Sequence, residues 1–155
     1  METCSKGKKA RPLPLVFLVC WIIVGVFAAP PIVTAEPSPV IITHTKVSDI
    51  SLSCTDIKNI FLGKKATWSD GQQITFVILN SGDVHKAFLK YYVKKNPSQF
   101  LNYWRHMLFT GKGMEPKAFN SEQALMEYVA AHEGVIGYIS NETPAVGVRV
   151  MPITD

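Results

Sequence analysis

The chain has 155 residues, 47% of them hydrophobic, and a formal charge of +4. Much of that charge sits before residue 36, and residues 36–155 carry 12 Lys and Arg against 11 Asp and Glu. A charge near +1 speaks against nucleic acid as a partner, and a segment of this length holds one modest core rather than two.

The first segment reads as a leader. Lys6, Lys8, Lys9 and Arg11 form a basic stretch, Leu13–Ala29 is almost wholly apolar, and Val33-Thr34-Ala35 puts small residues before Glu36. That three-part pattern is the signature of a secretory signal peptide over residues 1–35. The apolar run also reaches the lower limit of a membrane span, so an uncleaved anchor is the alternative. Residues 36–155 would then be a periplasmic or secreted domain. Cys54 is its single thiol, which leaves no internal disulfide. Its spacing to Ile57 fits a small buried hydrophobe.

Glu36–Pro39 is a proline-containing spacer, and Val40–Thr43 is a β-branched run that predicts a strand. Ser53 or Thr55 caps a helix through Leu62, with Ile57, Ile60 and Phe61 at helical spacing and Gly63 as its stop. A loop over residues 64–71 closes at Asp70-Gly71 and carries Trp68, an indole suited to plugging the edge of a core. Ile74–Leu79 is a nearly continuous apolar run, which predicts a central strand buried on both faces.

Asn80-Ser81-Gly82 then forms a tight turn, and Asp83 opens a helix. Its Val84, Ala87, Phe88 and Tyr91 share one face, while Lys86, Lys90, Lys94 and Lys95 lie on a solvated side. Asn96-Pro97 breaks the helix and Ser98 caps the next, whose apolar stripe is Phe100, Trp104, Met107 and Leu108. Thr110-Gly111-Lys112-Gly113 closes it, without the Gly-Lys-Ser/Thr core of a Walker motif. Asn120 caps a last helix with Gln123 as its capping-box partner, and Leu125, Tyr128, Val129 and His132 share a face that ends at Gly134. Val135–Ile139 reads as a strand in which Gly137 marks a close approach, and Val146–Met151 as an edge or terminal strand. The order β-α-β-α-α-α-β-β predicts an α/β fold: three layers, with a mostly parallel sheet flanked by helices.

The chemistry-bearing residues do not assemble a catalytic set. His44, His85, His106 and His132 make no metal-ligand spacing, and His85 and His106 fall at polar-leaning helix positions. No Gly-x-Ser-x-Gly elbow is present, and Glu122, Glu127 and Glu133 are surface carboxylates by pattern. The reading is a non-enzyme without cofactor or metal. The strand–turn–helix at residues 75–88 is the candidate binding site. The unpaired N–H groups of a helix N-terminus, here at Ser81, Gly82 and Asp83, attract an anion, with the Ser81 hydroxyl and Lys112 as helpers. Asp83 as a plain cap is the simpler alternative.

A family resemblance rests on four motifs in order. Ile60-Phe61-Leu62-Gly63-Lys64 with Trp68 and Asp70-Gly71 comes first, then Ser81-Gly82 followed by Phe88. Trp104 with Gly111-Lys112-Gly113, and Gly134-Val135-Ile136-Gly137-Tyr138-Ile139, complete the set. Over residues 49–140 the chain resembles the phosphate-binding periplasmic proteins, in particular short single-domain members similar to phosphate ABC transporter substrate-binding proteins. The resemblance implies one lobe, the second, of a type II periplasmic binding protein. It also implies an oxyanion ligand at the Ser81-Gly82 turn. The chain departs from the family pattern in having apolar Val77, Ile78 and Leu79 where the family carries an arginine, and Asp83 where it carries threonine. The alternative function is therefore an accessory interaction domain without ligand, its partner a second copy or an envelope transporter or sensor component.

Overall fold

The computed structural model describes residues 37–154. The expected leader over residues 1–35 lies outside them. Strand β1 is Pro39–Thr43, β2 is Leu52–Ser53, and helix α1 is Cys54–Phe61. Strand β3 is Thr75–Leu79, helix α2 is Asp83–Phe88, and it runs on into a π-helical turn, Leu89–Val93. Helix α3 is Pro97–Phe109, β4 is Lys117–Phe119 and α4 is Glu122–Ala131. Strands β5 (Val135–Ser140), β6 (Arg149–Val150) and β7 (Ile153–Thr154) complete the chain.

Five strands form one sheet in the order β4-β3-β5-β1-β6. β3 is parallel to both β4 and β5, whereas β1 is antiparallel to β5 and β6. Four strands thus share a direction and β1 alone runs against them, so the sheet is mixed and mostly parallel. β2 and β7 form a separate parallel pair.

Helices cover both faces. On one side, a Cβ added at Gly137 would lie 2.7 Å from Leu125 of α4 and 3.0 Å from Val77, so α4 packs directly on β3 and β5 there. The opposite face of β5 presents Tyr138, whose ring stacks on Phe88 of α2 at 3.8 Å between centroids. Phe61 of α1 joins Phe88 edge-on at 4.6 Å, and Phe76 bridges Phe61 to Trp104 of α3. All six residues of β5 are buried, as befits a strand covered on both faces. Trp68 is buried, and its indole N–H donates to Gly134 O at 3.1 Å, which ties the loop before β3 to the start of β5.

Among the described residues three helices carry side-chain caps. Ser53 Oγ accepts from Asp56 N at 3.0 Å and Asp56 returns the bond to Ser53 N, a capping box; Lys65 bonds Asp56 as well. Together these hold the Asp56 carboxyl below its ordinary pKa, the Ser53 hydroxyl first among the causes. α3 is capped by Asn96 with Gln99 in its capping box, two residues ahead of the expected Ser98, because Pro97 occupies the first helical position. α4 is capped by Ser121 rather than Asn120, whose side chain instead accepts from Asn80 Nδ2.

Burial departs from expectation at several positions, Leu108 of the expected α3 stripe being 40% exposed and Cys54 only partly buried. Tyr91 is 60% exposed, and Leu89, Tyr92 and Val93 are buried in its place. The π-helical turn adds a residue to the repeat and rotates the buried face past Tyr91. β3 is only half covered on one face: Val77 and Leu79, facing α4, are buried, while Phe76 and Ile78 are not fully so. The gap over Ile78 is part of the site described next.

Candidate functional site

β3 delivers the chain to a turn at the carboxyl end of the sheet, where open α/β sheets place their ligands. Asn80 N donates to Phe119 O at 2.8 Å, so the turn is fixed to the end of β4. Gly82 follows with φ 106° and ψ 168°, a backbone geometry accessible to glycine and strained for any other residue. It occupies the N-cap position of α2 and supplies no side-chain cap. The first backbone bond of the helix is Lys86 N to Gly82 O, at 3.1 Å. The N–H groups of Asp83, Val84 and His85 therefore have no helical acceptor, and none has another acceptor among the described residues. Ser81, Gly82 and Asp83 are all exposed. The Asp83 carboxylate is paired with Lys86 Nζ at 2.9 Å, which offsets its negative charge at the helix end.

Three of the four expected site residues are thus contiguous at one helix end. Lys112 is not with them. It lies in the turn closing α3, its N–H bonded to Met107 O at 2.9 Å, and the chain then leads into Lys117, the first residue of β4. Because β4 pairs in parallel with β3, that turn serves the end of the sheet where both strands begin. The Ser81 turn follows the end where they finish.

His85, expected at a polar-leaning position, is buried beside this turn. Its Nδ1 lies 2.5 Å from the Tyr138 hydroxyl, which also accepts from Leu79 N at 3.1 Å. The hydroxyl has no other acceptor for its proton among the described residues, so it donates to Nδ1, and the ring proton sits on Nε2. Burial lowers the His85 pKa to about 4 and raises that of Tyr138, so both are neutral at pH 7. A signal for this burial was present in the sequence: His85 precedes Phe88 and Leu89 by three and four residues, the spacing of one helical stripe.

A cavity of about 340 Å³ opens next to His85, between α2, α3 and the β3–β4 edge. Its floor is Ile78 and Ala118, paired neighbours on adjacent strands, and the small Ala118 leaves the floor open. Leu101, Trp104 and Leu108 of α3 form the apolar wall, while Arg105 and Glu115 bring opposite charges to the lining. Neither Lys112 nor any residue of the Ser81–Asp83 turn lines it. Among the described residues no group of three or more His, Cys, Asp or Glu is placed to hold a metal ion. No helix among them is long and apolar enough to cross a membrane.

No family model matches the chain, and no curated protein does. Solved structures do. A protein from Clostridium perfringens described as a phosphate ABC transporter substrate-binding protein, with phosphate bound, aligns at TM-score 0.60 and 18% identity, over 76% of this chain and 45% of its own. PstS from Borrelia burgdorferi aligns at TM-score 0.60 and 12% identity, over 77% and 48%. An ABC-type phosphate transport receptor from Vibrio cholerae aligns at TM-score 0.57 and 14% identity, over 76% and 46%. The chain spans less than half the length of each. At these identities the likeness is one of fold, and the described residues form the α/β architecture that makes up about half of a phosphate transport receptor.

Proposed function

We propose that this chain is an exported binding module, not an enzyme, that takes a small phosphate-like oxyanion at the Ser81-Gly82-Asp83 turn. The observation that carries the reading is the open end of α2. Of the four α-helices among the described residues it alone lacks a side-chain cap, and three N–H groups are left for a ligand at the carboxyl end of β3. The fold shared with phosphate transport receptors supports the reading, and Lys86 pairs the Asp83 carboxylate at the surface. Backbone N–H groups and the Ser81 hydroxyl are the donors.

Calorimetry of the chain with phosphate and sulfate tests this. Saturable binding is expected, weakened at least about tenfold by Gly82→Val, because a β-branched residue does not reach the Gly82 backbone geometry. Lys112→Ala is expected to change affinity by less than about twofold, since Lys112 is remote from the turn. Absence of saturable heat up to about 10 mM of either anion refutes the proposal.

A specific observation favours the second reading, an accessory interaction domain. Phe109 and Met114 are 91% and 83% exposed at the end of α3 and in the turn after it. Exposed apolar side chains of that size grouped in one region mark contact surfaces. Retention of partner capture by a chain carrying Gly82→Val, with loss on Phe109→Ser, separates this reading from the first.

A further inference from the structure

We propose that the cavity between α2, α3 and the β3–β4 edge binds a small organic carboxylate with an apolar body, and that His85 Nε2–H is its polar anchor. The volume, about 340 Å³, is within the range of small-ligand pockets, and the wall is largely apolar with a few convergent polar groups, as such pockets are. The apolar part is open to a ligand: Leu101 and Leu108 on the wall are 48% and 40% exposed, and the floor residue Ala118 is exposed as well.

His85 supplies the directional contact. The residue is only 6% exposed, and Nδ1 is committed to the Tyr138 hydroxyl. Nε2–H is the imidazole donor that remains, on a side chain that lines the cavity, and among the described residues the His85 ring bonds only through Nδ1. Nε2 is not among the side-chain nitrogens and oxygens sealed off without a partner, so an incoming oxygen can reach it and accept its proton. Ser98 lines the cavity from the first turn of α3, where the helix dipole is positive, and Arg105 lines it two turns further along. These groups suit one carboxylate.

The same lining selects against phosphate. Glu115 brings a carboxylate to the cavity, which offsets Arg105 and disfavours a second negative charge on the ligand. An apolar wall likewise gives nothing to an inorganic dianion. The site does not rest on the oxyanion reading: none of Ser81, Gly82 and Asp83 lines it, and it uses the His85 side chain rather than the His85 backbone N–H.

Titration of the full chain with phenylacetate and with isovalerate, followed by Trp104 fluorescence and amide chemical shifts, tests the proposal. Saturable shifts are expected at residues 78, 101, 104 and 118, unchanged by phosphate added at equal concentration. His85→Phe, which keeps a flat ring and removes the donor, is expected to weaken binding about tenfold or more. Ala118→Leu, which fills the floor from an exposed position, is expected to abolish it. If His85→Phe does not fold, Ala118→Leu decides. No saturable response up to about 10 mM, or full affinity in Ala118→Leu, overturns the proposal. Failure of phosphate to bind the chain bears on the Ser81 turn and leaves this site standing.

Discussion

His85 shows how burial converts a titratable side chain into a fixed neutral donor. Its ordinary pKa is near 6.5, and desolvation in the fold lowers it to about 4. Between those values the unfolded chain takes up a proton that the folded chain does not. Stability from this group is therefore complete above about pH 6.5 and is lost progressively as pH falls toward about 4. Urea midpoints for the native chain and His85→Phe, compared across that window, check it. The native chain is expected to lose more of its stability than the variant, and equal losses contradict the assignment. The difference between the two chains removes the acid response of Asp56, whose pKa is lowered in both. At the same scale, Gly137 was legible as a close-approach glycine, and α4 does pack where its Cβ would stand. The partnership of His85 with Tyr138 was not legible, because it joins residues 53 positions apart through a sheet pairing that no local pattern encodes.

Helix ends were legible to within one or two residues, and the shifts have chemical causes. Asn96 outcompetes Ser98 because Pro97 needs the first helical position, and Asn120 is drawn away by Asn80. The open end of α2 was legible as Ser81-Gly82, though its lack of a side-chain cap required the backbone geometry of Gly82. The π-helical turn was illegible, since a helical periodicity assumes a constant rotation per residue. It has a direct consequence for mutation. Tyr91→Ala is expected to cost well under about 1 kcal/mol, as an exposed site does, and Tyr92→Ala about 3 kcal/mol, as truncation of a buried aromatic does. Chemical denaturation of both variants reads the difference. A reversed order would mean that the unbroken α-helical face through Tyr91 is the one that packs.

Across the whole molecule, the three-layer α/β organisation followed from the alternation of strand and helix patterns, and the central strands β3 and β5 stand where their apolar runs lie. β4 did not show itself in the sequence. Its Lys-Ala-Phe has no alternation of its own, and parallel pairing with β3 alone makes it a strand. That pairing matters for the site: it separates Lys112 from the Ser81 turn, and through Ala118 it opens the cavity floor. The linear motif at Ser81-Gly82 and the glycine-flanked Lys112 fall at opposite ends of the sheet, a separation that only the strand pairing reveals. On the proposed function, the open end of α2 receives an oxyanion. Amide chemical shifts of the full chain during a titration with inorganic phosphate test it most directly. Saturable shifts led by the N–H groups of Asp83, Val84 and His85 are expected. A titration in which these three amides do not move, or in which only the lysine face at residues 86–95 responds, contradicts it.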